Sequence, residues 1–561
     1  MRSSRHPRQA VLAAALLLLL SACASIPMSG PVQKGDPRVE TQADVDVFAP
    51  GPERGDTPQQ IVDGFLTASA AGFSDGFAAA REFLAGEAKA KWDPLSGQVV
   101  AGPVVWGSST NEAQIVGDIP VAARVDGDGR YVEAPPNAAE SVTFDLVQDD
   151  AKQWRISGVP DGLILQEQDF TRTFQPASLY FLSPDKTYLV PETRWLPNKN
   201  LQTAVVKELL AGPSTWLRDA VVTAIPEGVA LNPEAVLVDS KGVALVGLSP
   251  QSTVTKADRS LMLAQIEASL RPVPGVGSVQ VVAVPAGGNP VTDGLPLDGA
   301  AVLQRGNAPT GNVEFLQADR LVALSQDQVA PVEAVSSLAG LDARSPASNA
   351  DGSLRVLLSG PDRLITAPTA TTPATTLYTG ASLAAPSIDR FGWTWTASTT
   401  DGIVAVKAGA ATVPVQADWL ASRTVRALRV AADGTRIAVV SSGADGVTID
   451  VAGIIRDESG APQQLGPPIR AGASMVDATA VDWIDESTLG VLGTSTGNVA
   501  VHSVPVSGPT TSKPEVADPT ALAGGAVIYV TTLDGGLRRF AGETWATVTG
   551  VTGASDPSYP G

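Results

Sequence analysis

The last 250 or so residues of this chain carry a recurring pattern, and it restricts the possible folds more than any other feature. Short apolar segments, "LRVLLS", "WTWTAS", "IAVVSS", "LGVLGT" and "VIYVTT", begin at Leu354, Trp393, Ile437, Leu489 and Val527, in steps of 39, 44, 52 and 38 residues. Their mean, about 43, is the length of one four-stranded propeller blade. From about position 310 onward no helical periodicity intervenes, and the 252 residues that remain nearly match the roughly 258 that six such units require. Acidic turns such as "DGSLRVLL", "DGTRIAVV" and "DESTLGVL" fall beside the strands. A β-sandwich would account for the strands but not for their spacing, so an all-β propeller of about six blades is expected over 310–561.

The region before it reads differently. At "DTPQQIVDGFL", Thr57 can cap a helix, Pro58 suits its first turn and Gln60 completes a capping box, with Ile61, Phe65 and Leu66 forming an apolar stripe. A second helix is expected from Ser74, with Phe77, Ala80 and Leu84 on one face. Beyond Trp92 the period becomes two: "VTFDLV" places Val142, Phe144 and Leu146 on one side, and "QWRISG" does the same with Trp154 and Ile156. Two helices followed by an antiparallel sheet suggest a small α+β domain over 57–165, similar to a cystatin-like or NTF2-like (nuclear-transport-factor-like) cone. Residues 175–290 read as strand, strand, helix, hairpin, helix, strand. The helix "NLQTAVVKELLAGP" turns Leu201, Val205 and Leu209 inward and closes at Gly212, and a hairpin turns at 240–242. This order, with "LLAGP" and "AIPEGV", resembles the GerMN domain of spore-germination and envelope proteins, which implies a binding or assembly module rather than an enzyme.

The front of the chain addresses location. Arg2, Arg5 and Arg8 precede an apolar run over 10–20, and no acidic residue appears before Asp36. This is the layout of a secretory signal peptide over 1–22. Eleven residues make a helix of only about 16 Å, too short to span a bilayer. Leu20, Ser21, Ala22 and Cys23 resemble the bacterial lipobox, in which the cysteine is diacylated, the peptide before it is removed and the new N-terminus is acylated. Cys23 is the only cysteine of the 561 residues, and an exported protein rarely keeps a lone thiol without a use. No intrachain disulfide is possible, so stability has to come from large cores. Residues 24–56 hold five prolines and four glycines with no helical or strand period, and read as a linker, about 30 Å across as a coil and up to about 100 Å stretched. Removing the three leader arginines leaves 36 basic against 58 acidic residues, a balance that disfavours nucleic acid and anionic lipid headgroups as partners.

Candidate chemistry is sparse. Of two histidines only His502 lies beyond the leader, so histidine-rich or cysteine-ligated metal sites are not expected, and acid–base catalysis would need carboxylates. "GTSTG" at 493–497 fits G-x-S-x-G around Ser495, but a strand follows where the hydrolase elbow needs a helix. "SPDK" at 183–186 fits S-x-x-K, yet Pro184 and Asp185 favour a hairpin turn. "DGDG" at 126–129 lacks the glutamate of a calcium loop at its twelfth position and reads as another turn. Trp393 and Trp395 share a strand face that could stack on a sugar, although packing between blades is the commoner fate of such a pair. No catalytic residue, cofactor or metal ligand is assigned.

The lipobox, the stretch "CASIPMSGPV" after it, and the order of three domains resemble the actinobacterial lipoprotein LpqB family over nearly the whole chain. That resemblance implies a lipid-anchored protein at the outer face of the cytoplasmic membrane, not an enzyme. It also implies a partner: the extracytoplasmic domain of the sensor histidine kinase MtrB of the MtrAB two-component system, with effects on cell-wall and division homeostasis. The alternatives are a glycan-binding protein or propeller hydrolase of the envelope, and a scaffold for lipoprotein or glycan export.

Overall fold

A computed structural model describes residues 49–107, 111, 113–409, 412–495 and 497–561. In the N-terminal domain the helix Pro58–Ala71 opens with the expected capping box: the Gln60 amide donates to Thr57 Oγ1 at 3.3 Å, and the Thr57 amide donates to Gln60 Oε1 at 2.9 Å. Its buried face, Ile61, Val62, Phe65 and Ala68, lies on a sheet whose strands run in the order Trp154–Gly158, Ala139–Gln148, Gln114–Asp126, Gly97–Ala101, Leu163–Gln166. Only the last pair is parallel. Val142, Phe144 and Leu146 alternate inward as the period of two requires, and complete burial of a side chain such as Phe144 contributes about 2–3 kcal/mol.

The second helix is shorter than the sequence pattern suggests. Residues 74–77 form turns, the Phe77 amide donates to the Gly72 carbonyl at 2.8 Å, and Phe77 takes a left-handed φ of 65° before a helix that covers only Ala78–Glu82. The Phe77 ring is drawn between Phe73 and Trp92, with ring centroids 5.0 and 5.9 Å away. That tertiary contact overrides helical continuation.

The middle domain begins with the antiparallel pair Phe174–Leu182 and Tyr188–Pro197. The helix Leu201–Ala211 follows, ending at Gly212, whose φ of 91° a side chain would resist. Strands Val243–Ser249 and Ser278–Ala283 pair in parallel, and the crossover between them carries the helix Arg259–Leu270, whose cap Asp258 accepts from the Leu261 amide at 3.3 Å.

Among the described residues six sheets of four or five strands then form the propeller. In the first, the C-terminal strand Ala554–Ser558 pairs with Val313–Gln317, so the end of the chain completes the blade that began the ring and no edge stays open between first and last. The acidic turns have a local cause. Asp351, Asp433 and Asp485 each accept the backbone N–H two residues on, from Ser353, Thr435 and Ser487, at 2.7–2.9 Å, so the carboxylate stands in for a turn carbonyl.

Candidate functional site at the domain seam

Ligands of propellers commonly sit near the central axis, where the innermost strands of all blades converge. Here the axis is nearly filled. The cavity there measures about 40 Å3, and Gly306, Asn307 and Pro309, from the segment entering the propeller, contribute to its wall. Its charged side chains are engaged by other protein groups. Arg436 is bound through Nε and Nη2 to Asp433 at 2.9 and 2.5 Å and also donates to the Glu486 carbonyl at 2.7 Å. The Arg436 guanidinium lies 5.0 Å over the ring of Trp483. Arg429 donates to the Pro386 carbonyl at 2.8 Å and stands 3.6 Å from Asp482. Burial pushes the Asp482 carboxyl up, while Arg429 and the Gly524 amide oppose that rise.

The middle domain supplies the other side of this cluster. Tyr180, on the strand Phe174–Leu182, donates its hydroxyl to Glu486 and accepts from Arg305 at 3.0 Å, with the Arg305 guanidinium 4.4 Å over its ring. Burial, reinforced by the Glu486 carboxylate, raises the Tyr180 pKa, so the phenol keeps its proton. At the hairpin tip, Asp185 receives both Nη atoms of Arg390 at 2.8 and 2.7 Å. Burial opposes ionisation of Asp185, but hydrogen bonds from Arg390, Ser183 and Thr187 outweigh it and hold the carboxyl well below the usual range. Apolar packing is continuous as well. Leu217 and Ala220 share one core with Ala438, Val440 and Ile449 of the fourth blade. A Cβ on Gly453 would lie 2.6 Å from that of Ala220, so only glycine admits this approach.

The N-terminal domain joins the same seam. Glu133 accepts from Thr510 Oγ1 at 2.7 Å and Ser474 Oγ at 2.9 Å, and the Tyr131 amide donates to Ser507 Oγ at 2.9 Å. Trp195 of the middle domain donates to the Ser507 carbonyl at 3.0 Å and packs against Tyr131 and Phe170. All three domains therefore meet around the fourth and fifth blades. These contacts tie the three domains to one another, and little space is left for a substrate at the axis.

The motifs singled out in the sequence resolve as follows. Leu20, Ser21, Ala22 and Cys23 lie outside the described residues. In "GTSTG" the strand Thr488–Thr494 is followed by the strand Ala500–Pro505, so Ser495 is on a hairpin. His502 Nε2 lies 3.3 Å from the Gly493 carbonyl, which can only accept, leaving Nδ1 to accept from Ser512 Oγ at 3.0 Å. Burial lowers its pKa, so the imidazole is neutral near pH 7. "SPDK" is the hairpin tip that reaches Arg390. "DGDG" turns the strand Gln114–Asp126 back on itself, and the Gly129 carbonyl accepts from the Trp195 amide at 2.7 Å. Trp393 and Trp395 are buried in the core between the third and fourth blades, and Trp395 Nε1 donates to Asp389 at 2.9 Å. Among the described residues no group of three or more His, Cys, Asp or Glu could hold a metal ion. Sequence reading missed Tyr180, Arg305, Glu486 and the Asp185–Arg390 pair. Their partners lie 125 to 306 residues apart, and no local pattern marks them.

Comparison with known proteins agrees with this architecture. The family model described as "Lipoprotein LpqB beta-propeller domain" matches residues 319–560, "Lipoprotein LpqB, N-terminal domain" matches 51–171, and "Sporulation and spore germination" matches 178–284. A protein named Lipoprotein LpqB from Thermobifida fusca is 28% identical over 552 residues, covering 86% of this chain and 87% of that protein. Proteins of the same name from Streptomyces avermitilis and Nocardia farcinica are each 26% identical, covering 97% and 100% of this chain and 96% and 100% of their own lengths.

Proposed function

This chain belongs to the LpqB lipoprotein family, and on that premise we propose that it is a non-catalytic accessory of a membrane sensor, tethered by lipid on Cys23. In this reading residues 1–22 are the leader, with Leu20, Ser21 and Ala22 directing acylation. Residues 23–56 are the tether, and the three domains stand at the outer face of the cytoplasmic membrane. The partner is the extracytoplasmic part of an MtrB-type sensor histidine kinase, and the outcome is control of cell-wall and division homeostasis. The relatives carry the name lipoprotein, and no helix among the described residues is long and apolar enough to cross a membrane. Both facts fit a lipid anchor.

The observation that carries the non-catalytic reading is the propeller axis. A cavity of about 40 Å3 is far below the roughly 300 Å3 at which small-molecule pockets begin, and the charged side chains around it are engaged by protein groups. Tethering suits a weak, surface-mediated partner, because confinement to one membrane raises effective concentration without any new contact. The test is kinase output in cells carrying the wild type, Cys23→Ser, or no copy. Output that changes on deletion, and is only partly restored by Cys23→Ser at equal protein level, is the expected result. Identical output in all three strains removes the proposal.

A further inference from the structure

The N-terminal domain contains a cavity that the reading above does not use. It lies between the helix Pro58–Ala71 and the sheet and measures about 340 Å3, about eleven water volumes at ~30 Å3 each, within the size range of small-ligand pockets. Phe65, Ile119, Val142, Phe144 and Leu163 give it apolar walls. One wall residue does not match them. Gln98 is 7% exposed and lines the cavity. The backbone at Gln98 is in register with Val125 on one side and Leu163 on the other, and its side chain forms part of the cavity wall. Ser69, on the opposing helix, is also buried, lines the cavity and has an Oγ without a partner. Burying polar groups unpaired is unfavourable, and an apolar side chain at position 98 would fill a purely structural cone better.

The rim narrows the class of occupant. Arg124 and Glu140 pair across it, Asp126 is held by Arg130, and Asp161 accepts from the Asp93 amide at 2.8 Å. Three carboxylates, two of them paired with the Arg124 and Arg130 guanidiniums and Asp161 facing no cation among the described residues, leave the rim net negative and disfavour an anion, so fatty acids and phosphorylated headgroups fit poorly. We infer that the N-terminal domain binds one uncharged, largely apolar molecule of about ten to twelve heavy atoms, whose single hydrogen-bonding head group reaches Gln98. The inference is independent of the kinase proposal.

The test is calorimetric titration of the mature chain carrying Cys23→Ser with 1-decanol and, separately, with decanoate. Saturable binding of one decanol per chain is expected, with decanoate at least tenfold weaker. Gln98→Leu should weaken decanol about tenfold. Leu66→Trp, which fills the cavity from the partly exposed face of the helix without altering Gln98, should abolish binding and serves as the variant if Gln98→Leu fails to fold. Absence of saturable binding, equal affinity for alcohol and carboxylate, or wild-type affinity in both variants would each overturn the inference.

Discussion

Two hollows of this molecule invite opposite readings. The propeller axis, where the fold class leads one to look, is closed to about 40 Å3; the Arg436, Arg429, Asp482 and Glu486 side chains around it each have a partner in the protein, and only Glu486 Oε2 and Ser558 Oγ of its described wall are buried without one. The cone of the small N-terminal domain is open to about 340 Å3, with the buried Ser69 Oγ unpaired and Gln98 set among its apolar walls. Fold class alone would rank these two the other way. The more informative criterion is how much room a hollow leaves beside groups that already bind one another. Ion pairs that fill a hollow hold elements of the protein together, whereas a roomy apolar hollow with a polar side chain in its wall is available to something from outside.

The largest expected effect tests the paired side. Asp433 and Arg436 are 0% and 1% exposed, so Asp433→Ala leaves a buried guanidinium without its counter-charge and should cost about 3–5 kcal/mol, read as a shift of the urea midpoint followed by tryptophan fluorescence. The double variant Asp433→Leu/Arg436→Met removes both charges and should lose less than the single one. If the single variant proves harmless, the axis is not the closed ion-paired core described above. Next is Tyr180→Phe, which takes away a hydroxyl shared by Glu486 and Arg305. A loss of about 1.5–3 kcal/mol is expected, together with faster proteolysis between the middle domain and the propeller.

Acid should separate two further contributions. Burial lowers the His502 pKa below its ordinary 6.5, so the unfolded chain takes up that proton first. The stability it provides is complete above about pH 6.5 and is lost as pH falls through the folded value. Asp185 is held below its ordinary 3.8, so its contribution is complete above about pH 4 and is lost only below that. Between pH 7 and 5 the wild type should therefore lose more stability than His502→Gln, while Asp185→Asn should follow the wild type in that window and differ from it near pH 3. A melting series at fixed ionic strength distinguishes these outcomes.

What could be read from sequence follows the range over which each signal acts. The capping box at Thr57 and the alternation of Val142, Phe144 and Leu146 are local, and both appear where the pattern puts them. The blade spacing is a repeat and survives for the same reason. Phe77 is the counterexample: its helical spacing suggests one face of a helix, but Phe73 and Trp92 pull its ring into a φ that a bulky residue seldom adopts. The seam was unreadable because an arginine at 305 and a glutamate at 486 carry no mark of a shared tyrosine at 180. Gln98 was unreadable for a different reason. One glutamine in "GQVVA" could equally face solvent, and only the folded sheet places it in a hollow.

The smallest effect is the one that sharpens the comparison most. If room beside an apolar wall is what distinguishes the cone, then Gln98→Leu removes a group that contributes little to the folded state and replaces it with one suited to that wall. Stability should change by less than about 1 kcal/mol, and in the direction of a gain, because no hydrogen bond is broken and no partner is left without one. The same type of substitution at Asp433 should cost several times more, although both residues are buried and polar. A loss at Gln98 comparable to that at Asp433, measured under identical urea conditions, would mean that the carboxamide is already paired in the free protein, through ordered water for example. The two hollows would then differ in size but not in kind.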